Sequence, residues 1–455
     1  MVHPCARRAH ALVRGWLPLS LAALALLAAL PDPAFAQGRG GGGPGGGLGG
    51  GGGPPAFPMM RGMGPDVAHG RPVWAGEQGV EASRKGQETA LEAHAARLSK
   101  GEAEKALTMA REQPQFFEVD DHGALILKGE IVAVDPDPAA LARAAKAGFA
   151  IRRQAPVEGT GIAPAILSSD KDDARHAIRW LRRHDPAGRY DFNHVYFQSG
   201  GAAKAPAAGG GPVAPSHHAL LLGLVDTGVT ASALHLDGRA LIARSFPGGV
   251  PVAASHGTAV AALLTRGLTE RTASLYAADI YSEGVRGGSA ELLARALGWL
   301  AANHVPVINV SLVGPPNQLV AAVVRALIAK GHIIVAPVGN DGVDARPLYP
   351  ASYPGVVAVS AVDSKQRLLP EASRVKRVDF VAQGIVEVPD LAGRKVTARG
   401  TSFAAPIVSR RLAAMMGGPS PAQAQAAIRK LRAEAVPLRG SGRNGFGHGF
   451  IADRP

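Results

Sequence analysis

From residue 218 onward the chain alternates uninterrupted apolar runs with Ala- and Leu-rich stretches of helical period, and few folds accept that pattern. The runs "ALLLGLV" (219–225), "VPVINVSL" (305–312), "HIIVAPV" (332–338) and "GVVAVSAV" (355–362) have no side that reads as a solvent face. Strands apolar on both faces must be covered on both, the condition of a parallel sheet enclosed by helices. Helices are expected over 256–265, 289–302 and 317–330, a further strand over 273–278, and another helix after Ser402. The expected fold class is α/β, a doubly wound parallel sheet flanked by helices. Such sheets gather their sites at the carboxyl ends of the strands.

Upstream the pattern changes. Over 124–198, "ALILKGEIVAV" reads as a strand, and Asp137-Pro138 then supplies an N-cap and a first-turn proline. The helix that follows carries Leu141, Ala144 and Ala145 as its stripe and closes at Gly148. "FAIRRQA" and "APAILSS" are strands, a helix over about 170–184 presents Ala174, Ala177, Ile178 and Leu181 on one face, and "YDFNHVYFQ" is a last strand. This β-α-β-β-α-β order describes a small α+β domain. A Gly/Ala/Pro linker at 199–217 separates it from the sheet domain at 218–455. Before it lie a helical segment at 86–123, with its helix over 86–112, and a Gly/Pro-rich low-complexity linker at 37–85 that cannot bury a core.

The first 36 residues read as a signal peptide. Arg7, Arg8 and Arg14 precede "WLPLSLAALALLAAL", and Ala34-Phe35-Ala36 fits small-x-small cleavage. An uncleaved anchor is the alternative, but the run is short for a span, and no other segment reaches the ~18 apolar residues that a span needs. Arg7-Arg8 also hints at a twin-arginine route. The only cysteine, Cys5, leaves with the signal, so no disulfide is expected in the exported protein. Export to the periplasm or the medium follows, with no stable membrane span after cleavage. The formal charge of +13 favours anionic surfaces. No compact Lys/Arg run with interleaved aromatics marks a nucleic-acid face, and no nucleic-acid partner is expected.

The strand ends carry the chemistry. Asp226 closes an apolar strand, His256 opens a helix with glycine behind it, Asn340 follows "APVG", and Ser402 stands at a helix mouth between Gly400-Thr401 and an Ala-rich run. Singly, each has a structural excuse: Asp226 as a turn cap, Thr401 or Ser402 as an N-cap. Together they supply a nucleophile, a base, an orienting carboxylate and an amide donor at one sheet edge, which is what acyl transfer requires.

The blocks "VDTGV", "SHGTAVAALL", "VGNDG" and "RGTSFAAP", in that order, resemble the Asp, His, oxyanion-Asn and Ser blocks of the subtilisin-like serine proteases (subtilases). "INVSL" resembles the strand that pairs with substrate backbone, "YPASYPGVVAVSAV" a block between the Asn and Ser motifs, and "GFGHGFI" the closing strand. The resemblance spans roughly 218–455. It implies Ser402 as nucleophile, His256 as general base and acid, Asp226 as its orienter, and Asn340 as side-chain oxyanion donor beside the Ser402 N–H. It also implies substrate contacts at Ser311, Leu312, Val313, Gly314, Val338 and Gly339. The 124–198 unit resembles the family's inhibitory propeptide, an unrelated accessory domain being the alternative. His235, His304 and His332 have no comparable His-Gly-Thr setting, and Asp237 is expected in a turn.

Several positions depart from the family pattern. Gln383 stands where proline is usual, Val313 where glycine is typical, and Pro337-Val338 where small alanines are common, which narrows the first specificity pocket. No cofactor is expected. Calcium is common in such proteins, yet no carboxylate-rich loop places a site. The implied function is an exported serine endopeptidase acting on polypeptides and made as a zymogen, with its own propeptide as intramolecular inhibitor and self-cleavage between about Phe197 and Ser216. Two competing readings are a peptide ligase or macrocyclase on the same triad, and an inactive envelope-binding module.

Overall fold

The computed structural model describes residues 100–453 apart from 170–172, 200–219, 235–240, 269–272, 283–286, 343–344, 374, 376 and 439–445. The expected signal peptide, the 37–85 linker, the start of the 86–112 helix and most of the 199–217 linker lie outside these residues. Among the described residues no helix is long and apolar enough to cross a membrane.

The N-terminal part begins with α1 (Lys100–Glu112) and β1 (Phe117–Val119). Then come β2 (Leu125–Val134), α2 (Pro138–Lys146), β3 (Ala150–Gln154), β4 (Ala165–Ser168), α3 (Ala174–His184) and β5 (Arg189–His194), the expected β-α-β-β-α-β order. Asp137 caps α2 through the Ala139 N–H, and Asp173 caps α3 through the His176 N–H. The apolar stripes of both helices pack on the sheet with Ile131, Leu167 and Phe192. The 86–123 segment contributes more than a helix, because β1 pairs antiparallel with β2 and joins this sheet.

"YDFNHVYFQ" is not one strand. β5 stops at His194, and a separate short strand, β6 (Phe197–Gln198), belongs to another sheet. The reason lies between them. The Val195 N–H still donates to Leu125 O in the first sheet, whereas the Tyr196 N–H donates to Gly288 O in the C-terminal part.

The C-terminal part consists of β7 (Leu220–Asp226), β8 (Leu241–Ser245), α4 (Ser255–Leu264), β9 (Ala273–Asp279), α5 (Ala290–Ala302), β10 (Val307–Val310), β11 (Leu312–Val313), α6 (Gln318–Ala329), β12 (Ile333–Pro337), β13 (Val357–Val362), β14 (Phe380–Gln383), the hairpin β15 (Ile385–Pro389) and β16 (Lys395–Arg399), α7 (Thr401–Ala413) and α8 (Pro421–Glu434). Seven strands form one sheet in the order β14-β13-β12-β10-β7-β9-β8, with every pairing parallel. Side chains alternate across it. Ile308, Ile334 and Ala336 pack with α5 and α6 on one face, and Val307, Ile333 and Val335 with α4 and α7 on the other. Among the described residues of the expected closing strand "GFGHGFI", the only pairings are isolated bridges, from Phe450 to Val381 and to Val436.

Candidate active site

Asp226, His256, Asn340 and Ser402 meet at the carboxyl edge of this sheet. Asp226 is the last residue of β7 and fully buried. One of its oxygens accepts hydrogen bonds from the Thr227 N–H (2.7 Å) and the Thr227 hydroxyl (3.2 Å). His256 lies in the first turn of α4, with Nδ1 2.8 Å and 3.0 Å from the two Asp226 oxygens. A carboxylate on both sides of Nδ1 fixes the proton there, which leaves Nε2 as the acceptor. That atom lies 3.1 Å from Ser402 Oγ.

Gly257 explains how the helix comes this close. Its N–H donates to Thr227 Oγ1 at 2.9 Å, and a Cβ there would meet Thr227 O at 2.3 Å. Gly400, at φ 140°, takes a left-handed conformation that a side chain would strain, and it turns β16 into α7 just before Ser402.

Asn340 follows β12. Its Oδ1 accepts the Thr401 N–H at 2.9 Å, so its amide nitrogen is turned into the cleft, where it donates to Ser199 Oγ at 3.0 Å. Val338 and Gly339 hold this loop: the Val338 N–H donates to Val359 O, and Gly339 O accepts from Ser373 N. These two hydrogen bonds therefore anchor Asn340 from behind.

Ser311 has two roles. Its carbonyl accepts the Ser199 N–H at 3.3 Å. Its hydroxyl donates to Ser402 O at 3.2 Å and accepts from Asn309 Nδ2 at 2.8 Å, while Ser409 Oγ donates to Asn309 Oδ1 at 2.9 Å. Asn309 and Ser409 were not singled out from the sequence. The signal for them was a polar residue inside an apolar strand, opposite a serine in an apolar helix.

The cleft is occupied by the chain's own β6. Gln198 pairs with Leu312 and Phe197 with Val313 in antiparallel register. On the other side Tyr196 is held by Gly288 O, and Tyr196 O accepts from the Tyr281 hydroxyl at 2.8 Å. Burial, added to by the charges of Asp226 and Asp279, pushes the Tyr281 phenol well above its usual range, so it remains a donor. Gly314 takes no part in that ladder. It bridges to Tyr349 and faces the Tyr196 ring, which a Cβ at this position would meet at 2.6 Å.

Further contacts tie the N-terminal sheet to α5 and α6. Asp191 accepts from the Gln318 N–H at 2.7 Å and Asn193 from the Glu291 N–H at 3.1 Å, each at a helix start where N–H groups lack helical partners. Arg153 grips Glu291 with two hydrogen bonds, of 2.8 Å and 2.6 Å. Of the rival histidines, His332 stands just before β12, at the opposite end of the sheet, with Nδ1 at Val305 O.

The family model described as "Subtilase family" matches residues 218–449. Subtilisin E of Bacillus subtilis (strain 168) is 32% identical over 143 residues, which are 30% of this chain and 37% of that protein. Minor extracellular protease Epr of the same organism is 31% identical over 184 residues, 39% of this chain and 28% of that protein. The chain thus spans about a third of the length of these relatives. Among solved structures, fervidolysin from Fervidobacterium pennivorans, described as a keratinolytic enzyme related to subtilisin, superposes with a TM-score of 0.59 at 18% identity, covering 74% of this chain and 61% of that one.

Proposed function

Since the chain belongs to the subtilase family, we propose that it is an exported serine endopeptidase that hydrolyses polypeptides and is made as a self-inhibited zymogen. The observation that carries this reading is His256, placed between Asp226 at 2.8 Å and Ser402 Oγ at 3.1 Å in a buried site. In the reaction Ser402 Oγ attacks the scissile carbonyl carbon and its proton passes to His256 Nε2, while Asp226 stabilises the imidazolium. The oxyanion takes hydrogen bonds from Asn340 Nδ2 and from the Ser402 N–H at the positive end of α7. His256 then protonates the leaving amine as the C–N bond breaks, and water cleaves the acyl-enzyme by the same route in reverse.

The zymogen part of the reading is supported by β6. An antiparallel strand laid along β11 is how an extended peptide binds a sheet edge, and covalent attachment gives this one a high effective concentration. Cleavage between about Phe197 and Ser216 would separate the N-terminal unit, which stays as inhibitor until degraded. Export rests on the basic and apolar N-terminus with its Ala34-Phe35-Ala36 site.

The test is active-site labelling. The wild-type protein should hydrolyse casein and be modified at Ser402 by a fluorophosphonate, which abolishes that hydrolysis, and Ser402→Ala should show neither hydrolysis nor labelling. Labelling of Ser402→Ala to the same extent would remove the triad assignment. Products longer than the substrates would show joining in place of hydrolysis.

A further inference from the structure

We propose that this cleft selects polypeptides with tyrosine four residues before the scissile bond and serine immediately before it, reading the tyrosine by its hydroxyl, so that the bond cut in the chain itself is Ser199–Gly200. The proposal rests on the endopeptidase reading and names its substrate class.

Tyr196 is fully buried. Its backbone is fixed at both polar atoms, N–H to Gly288 O at 2.8 Å and O from the Tyr281 hydroxyl at 2.8 Å. Its ring lies against Gly314 and its hydroxyl donates to Pro315 O at 3.0 Å. A phenylalanine would fill the same space and leave that carbonyl without its donor. Selection against a missing hydroxyl is the kind that a buried polar partner enforces well. Small residues would leave the space beside Gly314 empty.

Ser199, three residues on, is 3% exposed. Its hydroxyl lies 3.0 Å from Asn340 Nδ2 and 3.2 Å from Thr401 Oγ1, directly beside the nucleophile's helix. A bulky apolar side chain here would displace both contacts. Between these anchors, Phe197 and Gln198 are only partly buried and fill the strand register. The cut follows from that register. The Ser199 N–H pairs with Ser311 O, and the Ser311 hydroxyl holds Ser402 O, so the register makes the Ser199 carbonyl the one that we assign to attack by Ser402. Attack there moves the Ser402 proton through His256 to the Gly200 nitrogen, and water releases the Ser199 carboxylate.

The experiment uses protein produced from the complete sequence and incubated until its processing stops. It is assayed against internally quenched peptides reproducing residues 193–204, with Tyr, Phe or Ala at the Tyr196 position and Ser or Leu at the Ser199 position. We expect the new N-terminus at Gly200, and cleavage of the parent peptide at the corresponding bond. kcat/KM should fall about tenfold for Tyr→Phe, roughly a hundredfold for Tyr→Ala, and at least about tenfold for Ser→Leu. Equal rates for the Tyr and Phe peptides, or cutting at another bond, overturn the proposal while casein hydrolysis and fluorophosphonate labelling keep the endopeptidase reading intact. Absence of labelling and of all hydrolysis overturns both.

Discussion

The Ser311 hydroxyl donates to the carbonyl oxygen of Ser402 at 3.2 Å, and Pro406 is the reason that carbonyl is free. In an α-helix the carbonyl of one residue accepts from the N–H four positions later. Position 406 is a proline inside α7 and has no N–H to give. The residue carrying the nucleophile would otherwise keep an unpaired, buried acceptor, and Ser311 supplies the donor from the neighbouring strand. Asn309 and Ser409 hold that donor in turn.

Ser311→Ala should therefore lower kcat by about tenfold with KM little changed, since the loss is of one buried hydrogen bond that sets Ser402. Pro406→Ala restores an N–H at the right position, so the double variant should recover part of kcat. Steady-state kinetics of the two single variants and the pair decide this. Additive losses would show that the two residues do not act on the same carbonyl.

Asn340→Ala removes the proposed side-chain oxyanion donor and also the acceptor of the Thr401 N–H. The expected loss is roughly 10²–10³ in kcat with KM nearly unchanged, a magnitude taken over from removal of an oxyanion donor in a subtilisin. A variant that loses affinity and keeps its turnover would make Asn340 a loop residue only.

Gly257→Ala tests the close approach of α4 to the β7 turn. The added methyl would stand 2.3 Å from Thr227 O, so the helix start must move back and take His256 with it. Overpacking of this kind costs about 1–3 kcal/mol. Lower thermal stability together with a fall in kcat is expected. A stable and fully active variant would show that the turn, not the helix, gives way.

The four strand-end blocks and the strong apolar strands were legible because their signals are local: an uninterrupted apolar run, a glycine behind a histidine, a hydroxyl at a helix mouth. What was not legible depended on tertiary partners. β8 (Leu241–Ser245) is short and leaves most of its side chains half exposed, so it carried no apolar run to find. The break between His194 and Phe197 has no turn residue; it arises because Tyr196 finds a partner in Gly288, far along the chain. For the same reason Ser311 read as a substrate contact, while its service to Ser402 needed α7 in place.

Arg153→Ala should shorten the lag before activity appears in the full chain. Its guanidinium is held by two hydrogen bonds to Glu291 and a third to Glu130, and the Glu291 hydrogen bonds are the main influence holding its pKa above the usual range. Removing it leaves Glu291, buried at the start of α5, without that partner as long as the N-terminal unit stays bound. Because Arg153 is partly exposed, the grip should also weaken with salt. An unchanged lag at low ionic strength would mean that this pair is not part of what holds the unit in place.

On the zymogen reading proposed above, Phe197 should separate recognition of substrate from retention of the inhibitor. Its ring joins the cluster formed by Ala106, Met109 and Ala110 of α1 with Phe117, Leu125 and Leu127, and Lys105 Nζ stands 4.3 Å from its centroid. All of these residues belong to the N-terminal unit. In a short peptide substrate they are absent, so replacing the corresponding phenylalanine by alanine should change kcat/KM by no more than about twofold, the backbone pairing with Val313 being kept. In the full chain the same replacement, Phe197→Ala, detaches the tail strand from α1 and removes a partly buried apolar contact. Inhibition should weaken by roughly tenfold or more, read as faster onset of hydrolysis at equal protein concentration. A large loss with the peptide and none in the full chain would reverse the assignment and place the phenylalanine contact in the cleft itself.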